Sequence, residues 1–208
     1  MFVRAGLVSL GLLLLSRVLG LVRESALAAA FGTSGLGDLA VLMLSLPDWL
    51  AGLLASGALS YVLLPHWAAQ DAARQAHSLR RIGHWLLLAG AALALAIAWQ
   101  RASLLALLVP GLPDALQAVG AQALVWSGLA MPAALLAALW STRLQHGRDF
   151  TGLYAASLVL NGILVLALLL VATGWLPANA STFLGWSLLG AMLARLGWLR
   201  WRLGADGP

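Results

Sequence analysis

The chain has 208 residues, of which 62% are hydrophobic and only 9% are charged, whereas soluble domains carry about 25% charged residues. So few charges cannot cover a water-facing surface, which excludes a soluble globular protein and predicts an all-α integral membrane protein. The basic balance, 12 Lys and Arg against 7 Asp and Glu, is therefore read as a signal of membrane orientation and not of nucleic-acid binding. Because cysteine is absent, disulfides and thiolate metal sites are excluded.

Windows of about 20 apolar residues mark membrane spans, and they predict six transmembrane helices. In chain order these cover about 5–31, 38–69, 82–109, 118–144, 150–173 and 181–198. A polar linker is expected at 70–81. No cleavable signal peptide is evident, so the first helix is expected to be retained. We expect a single six-helix lobe over 1–203, followed by a polar tail at 204–208.

The arginines predict the orientation of this lobe. An even number of spans places both termini on one side of the membrane. Nine arginines fall on that side, namely Arg4, Arg74, Arg80, Arg81, Arg143, Arg148, Arg195, Arg200 and Arg202, whereas Arg101 lies toward the other. The positive-inside rule then places both termini in the cytoplasm. Contact with anionic lipid or phosphate is the alternative role of these basic segments.

Three charges interrupt the first helix. Arg17 and Glu24 are seven residues apart, about two turns, so they lie on one face with Gly20 between them, and Arg23 points about a third of a turn away. Each charge costs roughly 2.5–3.5 kcal/mol at mid-membrane on insertion scales, so such residues face protein or a water-filled cavity. We expect these charges to line a cavity for an anionic group; an internal Arg–Glu pair that only supports packing is the alternative.

The second helix adds further candidates. Asp38 is expected to cap its N-terminal end or to pair with an arginine of the first helix. Pro47 interrupts the backbone hydrogen bonds, as a hinge or as a static kink, and Asp48 is a further acidic candidate. Gly52, Ser56 and Ser60 are spaced by four, which predicts close helix packing.

Little in the chain indicates catalysis. Asn161, in the middle of the fifth helix, is expected to form an interhelical hydrogen bond. The four histidines show no metal-ligand spacing, and neither a phosphate-binding glycine loop nor a Ser–His–Asp arrangement is evident. We therefore expect no enzymatic activity, no metal and no cofactor. The expected partners include membrane lipids and exclude nucleic acid.

Residues 16–67 carry a family resemblance. The elements that match, in order, are Ser16-Arg17, Gly20, Arg23-Glu24, Phe31-Gly32, Asp38, Leu46-Pro47, Gly57-Ala58 and Pro65. This pattern resembles the N-terminal lobe of the MurJ (MviN) lipid II flippases, members of the multidrug/oligosaccharidyl-lipid/polysaccharide exporter superfamily. Beyond this stretch the resemblance consists of the span pattern and loop lengths, including the proline in helix 4.

The resemblance implies one lobe of a two-lobe transporter that works by alternating access. It also implies a central cavity whose cations meet the pyrophosphate of a lipid-linked saccharide. Arg17, Arg23 and Glu24 match positions of that kind, and with Asp38 they are the expected substrate-binding residues, with Pro47 as the expected hinge. A homodimer or a separately encoded second half would supply the other lobe, because such lobes are parallel repeats.

One departure from the family pattern keeps other functions open. The family carries two arginines and a glutamate in helix 2 where this chain has Ala51, Gly52 and Ser56. The first hypothesis is a flippase, or half of one, for a lipid II-like intermediate of peptidoglycan assembly in the bacterial inner membrane. The second is a degenerate or truncated relative with a structural or regulatory role. The third is an exporter of another polysaccharide lipid.

Overall fold

The structure is a computed structural model that describes residues 2–32, 34–174 and 179–204, with side chains described for 7–8, 10–32, 34–174 and 179–204. Residues 205–208 of the predicted tail lie outside the described residues. Throughout the described ranges the regular secondary structure is helical: α1 Phe2–Phe31, α2 Gly35–Leu53, a π-helical segment Leu54–Ala58, α3 Leu59–Ala68, α4 Ala72–Leu108, α5 Asp114–His146, α6 Phe150–Ala172 and α7 Ala180–Leu203. The all-α prediction is confirmed.

Five helical rods are long and apolar enough to cross a membrane. They are Gly35–Ala68, which joins α2, the π-helical segment and α3, followed by α4, α5, α6 and α7. The five do not include α1, although its 30 residues would measure about 45 Å at 1.5 Å per residue. The first of the six predicted spans, 5–31, coincides with α1, and a membrane crossing by α1 stays a prediction.

Two helices, α4 and α7, are longer than the spans that the apolar windows predicted. The polar linker expected at 70–81 is helical over most of its length, because α4 already begins at Ala72. Asp71 caps this helix, and its side chain accepts a hydrogen bond from the Arg74 backbone N–H at 2.8 Å. Likewise α7 continues past 198 to Leu203. Hydropathy detects the apolar stretch alone, whereas Ala, Arg and Gln continue a helix into the polar region.

The bundle is built around α5. In the most apolar window of α5, 72% of the residues are buried inside the protein, against 17% for α4, so α5 is the central helix and α4 is peripheral. Gly90 of α4 permits the contact between them, since a Cβ there would lie 2.5 Å from the Cα of Pro132 in α5. Pro132, the proline inside the fourth predicted span, therefore lies at a close crossing of α4 and α5.

The other helices surround this centre and leave a cleft. Helix α1 packs mainly against α6, α6 packs against α7, and both α2 and α7 pack against α5. A cleft remains where α1, α2 and α6 face one another, with single residues from α5 and α7 in its wall.

Next to this cleft the helical rod that contains α2 changes its hydrogen-bonding pattern. Leu54–Ala58 form a π-helical turn, and the single hydroxyl proton of Ser60 in α3 has two acceptors within reach, the carbonyl of Ala55 and Gln145 Oε1 at 3.2 Å. π-Helical turns of this kind often mark functional sites. The predicted close packing at Gly52 and Ser56 is wrong, because both residues are exposed and a Cβ on Gly52 would meet nothing within 4 Å.

Candidate functional site

The cleft has a volume of about 510 Å³ and is rich in charge. Its charged and amide side chains are Arg17, Arg23, Glu24, Asp48, Asn161 and Arg195. Three of the expected site residues, Arg17, Arg23 and Glu24, are thus brought together here. The structure adds Asp48, which the sequence offered only as a further candidate, and Arg195, which the sequence interpretation assigned to membrane orientation.

Arg23 connects α1 to α6. The residue is only 9% exposed. Its Nη2 donates to Glu24 Oε1 at 2.8 Å, and its Nη1 donates to Asn161 Oδ1 at 3.1 Å. The predicted interhelical hydrogen bond of Asn161 is therefore confirmed, with a guanidinium as its donor. Because Arg23 has both an acidic and an amide partner, its charge is compensated within the protein.

Arg17 is in a different situation. It is exposed, lines the cleft and forms no ion pair with the acidic side chains that the structure describes. One turn further along α1, Gly20 leaves open space, since a Cβ there would meet nothing within 4 Å. Arg17 is therefore the accessible cation of the α1 cluster.

Arg195 and Asp48 join α7 to α2 across the cleft. Arg195 Nη1 donates to Asp48 Oδ1 at 3.1 Å, and the two side chains are 10% and 35% exposed. Arg195 is one of the nine arginines that predict the orientation, which stays a prediction, and the structure adds that the residue is buried within the bundle. One signal could have found it: Arg195 falls inside the predicted span 181–198, where a charge suggests a functional site.

Asp38 and Pro47 lie apart from the cleft lining. Helix α2 begins at Gly35 after Ser34, so Asp38 lies in its first turn and not at the cap position. The residues that line the cleft do not include Asp38, and it forms no ion pair with Arg17 or Arg23 in the described part of the chain. An acidic residue in the first turn still complements the helix dipole. Pro47 is buried inside α2, directly before Asp48.

The uncharged positions of α2 form part of the cleft wall. Ala51 and Gly52 both line the cleft, as does Ala55 in the π-helical segment. These residues present no side chain beyond a methyl group. Small residues at these positions therefore widen the cleft, and the charges of the cleft come from α1, from Asp48 of α2 and from α7.

A further ion pair, between Asp149 and Arg202, lies at the end of the bundle outside the predicted spans. Asp149 accepts from Arg202 Nε at 2.9 Å and from Arg202 Nη2 at 2.7 Å, and it also accepts from the Gly152 N–H at 2.9 Å, so that it caps α6. Partial burial alone would raise the pKa of Asp149, but the hydrogen bonds from Arg202 and Gly152 hold it below its ordinary value.

The cleft as a whole favours an anion. Three arginines line it against two carboxylates, and guanidinium groups bind phosphate and carboxylate through paired hydrogen bonds. Among the residues that the structure describes, no group of three His, Asp or Glu side chains could hold a metal ion.

Fold and site together define a class: the chain is a multi-pass helical membrane protein with a charged cleft inside its bundle. No protein family, no curated protein and no solved structure matches the chain.

Proposed function

We propose that the chain is a membrane flippase lobe that moves a lipid-linked saccharide, lipid II-like, during peptidoglycan assembly in the bacterial inner membrane. The observation that carries this proposal is the cleft of about 510 Å³ to which Arg17, Arg23 and Arg195 all contribute. The pyrophosphate of such a lipid is an anion that guanidinium groups bind well. The resemblance of residues 16–65 to the MurJ family adds the substrate class.

In this function Arg17 makes the first contact with the pyrophosphate, since it is the exposed cation of the α1 cluster. Arg23, held by Glu24 and Asn161, adds positive charge behind it. The saccharide and lipid parts extend outside the cleft. Alternating access requires α2 to bend, and Pro47 leaves the Met43 carbonyl without its usual intrahelical donor. Both termini would lie in the cytoplasm by the positive-inside rule.

Alternating access also needs a second lobe. A second copy of the chain, or a separately encoded half, would lie beside this lobe in the membrane, face its cleft and complete the two-lobe arrangement. Single cysteines in α2 test this without background, because the chain has no cysteine of its own. A cysteine at the exposed Leu53 should crosslink to the second lobe in native membranes, whereas one at the buried Leu44 should not. A strictly monomeric chain would exclude alternation and with it this function.

The direct test is lipid translocation in reconstituted vesicles that carry a fluorescent lipid-linked saccharide. Arg17→Ala should reduce translocation to the rate of protein-free vesicles while the protein still inserts. Arg101→Ala is the matched control, because Arg101 is an exposed arginine of α4 outside the cleft, and it should keep the wild-type rate. Unchanged translocation in Arg17→Ala would exclude Arg17 from substrate binding.

A second candidate is a non-transporting relative with a structural or regulatory role. The observation that favours it is the uncharged wall of α2 at Ala51 and Gly52, where the MurJ family carries charge. The translocation assay separates the two, because a non-transporting protein gives the protein-free rate in its wild-type form. An exporter of a different polysaccharide lipid would instead transport only when the saccharide is changed.

A further inference from the structure

The hydrogen bonding of the Arg195 guanidinium is incomplete among the described residues. Its side chain is 10% exposed, and its single ion-pair contact runs from Nη1 to Asp48 Oδ1 at 3.1 Å. Its Nε is buried and has no hydrogen-bond partner among the described residues. Buried N–H groups in folded proteins are almost always paired. The guanidinium group therefore has hydrogen-bonding capacity that the protein itself does not use, and the residue that carries it lines the cleft.

A second unused group lies on the same cleft. Ser141 of α5 is 5% exposed, its hydroxyl has no hydrogen-bond partner in the part of the chain that the structure describes, and the residue lines the cleft together with Arg195. A guanidinium and a hydroxyl, both buried and both unsatisfied, come from two different helices. Both groups can donate hydrogen bonds to the oxygens of an anion.

The same helix shows what a complete arginine pair looks like. Arg202 follows Arg195 by seven residues, about two turns, and it binds Asp149 through both Nε and Nη2. That pair uses the bidentate geometry that arginine and carboxylate favour. Arg195 and Asp48 do not reach this geometry, so Asp48 leaves part of the guanidinium edge open.

From these observations we infer that Arg195 is a second anion-binding residue of the cleft, and that the phosphate of the ligand competes with Asp48 for it. The inference rests on the proposed function of the cleft as an anion site. A phosphate can accept from Nε and Nη at once, and the Ser141 hydroxyl donates to a further oxygen. Asp48, with a side chain 35% exposed, then turns toward water.

Displacement of Asp48 also affects α2. In the structure, the contact with Arg195 ties α2 to α7 at the residue that directly follows Pro47. Binding of the ligand phosphate to Arg195 removes this tie at the point where α2 lacks a backbone hydrogen bond. Occupation of the cleft is thereby coupled to bending of α2.

The test is the dissociation constant of farnesyl diphosphate, measured by titration calorimetry on the full chain in detergent. Arg195→Gln should raise the dissociation constant at least about tenfold, since a hydrogen bond to a charged group is worth that much or more. Asp48→Asn should lower it several-fold, because the competing charge is gone. Arg202→Gln is the matched control on the same helix and should leave it unchanged.

The opposite signs distinguish competition from a structural tie. If both Arg195→Gln and Asp48→Asn weaken binding, the pair only holds the bundle together and the inference is wrong. The double variant Asp48→Asn/Arg195→Gln retains a neutral hydrogen bond between the two positions, and it should bind as weakly as Arg195→Gln alone. Wild-type affinity in that double variant would also overturn the inference.

The binding experiments distinguish failure of the inference about Arg195 from failure of the proposed function. If Arg17→Ala weakens binding of farnesyl diphosphate and Arg195→Gln does not, the inference falls and the proposed function stands. If inorganic pyrophosphate binds in an Arg195-dependent manner and farnesyl diphosphate does not bind, the inference stands and the lipid substrate falls. If neither compound binds the wild-type protein, both proposals are overturned.

Discussion

Helix α7 carries two arginine–aspartate pairs that differ in nearly every physical respect. At its end, Arg202 binds Asp149 through two hydrogen bonds of 2.9 and 2.7 Å. Inside the bundle, Arg195 binds Asp48 through one hydrogen bond of 3.1 Å. The terminal pair also caps α6 through the Gly152 N–H. In the cleft, Arg195 Nε and the hydroxyl of Ser141, another residue that lines the cleft, have no partners among the described residues.

The difference separates a structural contact from a site that can bind a ligand. Where every donor and acceptor is satisfied, an added anion gains nothing and must break existing hydrogen bonds. Where a buried donor is unsatisfied, an anion gains hydrogen bonds that the protein itself does not make. Burial of the arginine alone does not make this distinction, because Arg195 is more deeply buried than Arg202 and yet is the less completely paired of the two.

The largest expected effect is on transport. Arg195→Gln should lower the translocation rate of a lipid-linked saccharide at least about tenfold, because a charge-assisted hydrogen bond to the substrate is lost. Arg202→Gln should retain most of the rate at a temperature where both proteins are folded. Equal loss in the two variants, measured in the same vesicles, would remove the functional distinction between the pairs.

The next effect is on stability at the terminal pair. Asp149→Ala removes the cap of α6 and both hydrogen bonds from Arg202, so the free energy of unfolding should fall by about 2 kcal/mol. The measurement is unfolding in mixed detergent micelles, followed by circular dichroism. Asp114→Ala is the control, since Asp114 is an exposed first-turn residue of α5 whose side chain accepts only from Gln117, and it should cost well under half as much.

The pH dependence of the terminal pair is a smaller effect with a definite sign. The pKa of Asp149 is lower in the folded protein than its ordinary value, so its contribution is fully present above the ordinary pKa and is lost as pH falls through the folded pKa. The stability difference between wild type and Asp149→Asn should therefore stay constant from pH 7 to pH 5. It should shrink below about pH 4, near the ordinary aspartate pKa. A difference that grows as pH falls would contradict this assignment.

The last comparison takes a glycine from each region, and the smallest expected effect is at the one in the cleft wall. Gly52→Ala, in the cleft wall, places a methyl group in open space and should raise the free energy of unfolding by up to about 1 kcal/mol through helix propensity. Gly152→Ala, at the terminal pair, would bring its Cβ to 2.5 Å from Asp149 Oδ2 and should destabilise the protein by about 1–3 kcal/mol. A destabilising Gly52→Ala would mean that the cleft is narrower than described.

The sequence predicted the α1 side of the cleft better than the α7 side, and the reason is local. Arg17, Arg23 and Glu24 lie within eight residues of one helix, so helical periodicity alone relates their directions. Arg195 lies on another helix, 147 residues from its partner Asp48. Because Arg195 precedes Arg202 by seven residues, the sequence was equally compatible with a basic helix end that contains both arginines. Asp38 shows the limit of a family pattern, since its matching position did not bring it into the cleft lining.

By itself, the sequence determined the all-helical class, the membrane character and the approximate position of each helical rod, because apolar length and helix propensity are properties of consecutive residues. The tertiary structure alone decided which polar groups meet. Arg23 binds Asn161 across 138 residues of sequence, and Asp48 binds Arg195, because the apolar faces of α1 with α6 and of α2 and α7 with α5 pack in one particular arrangement. Apolar faces of similar composition carry no local signal for their partner, so the cleft and its charges appear only once the helices are assembled.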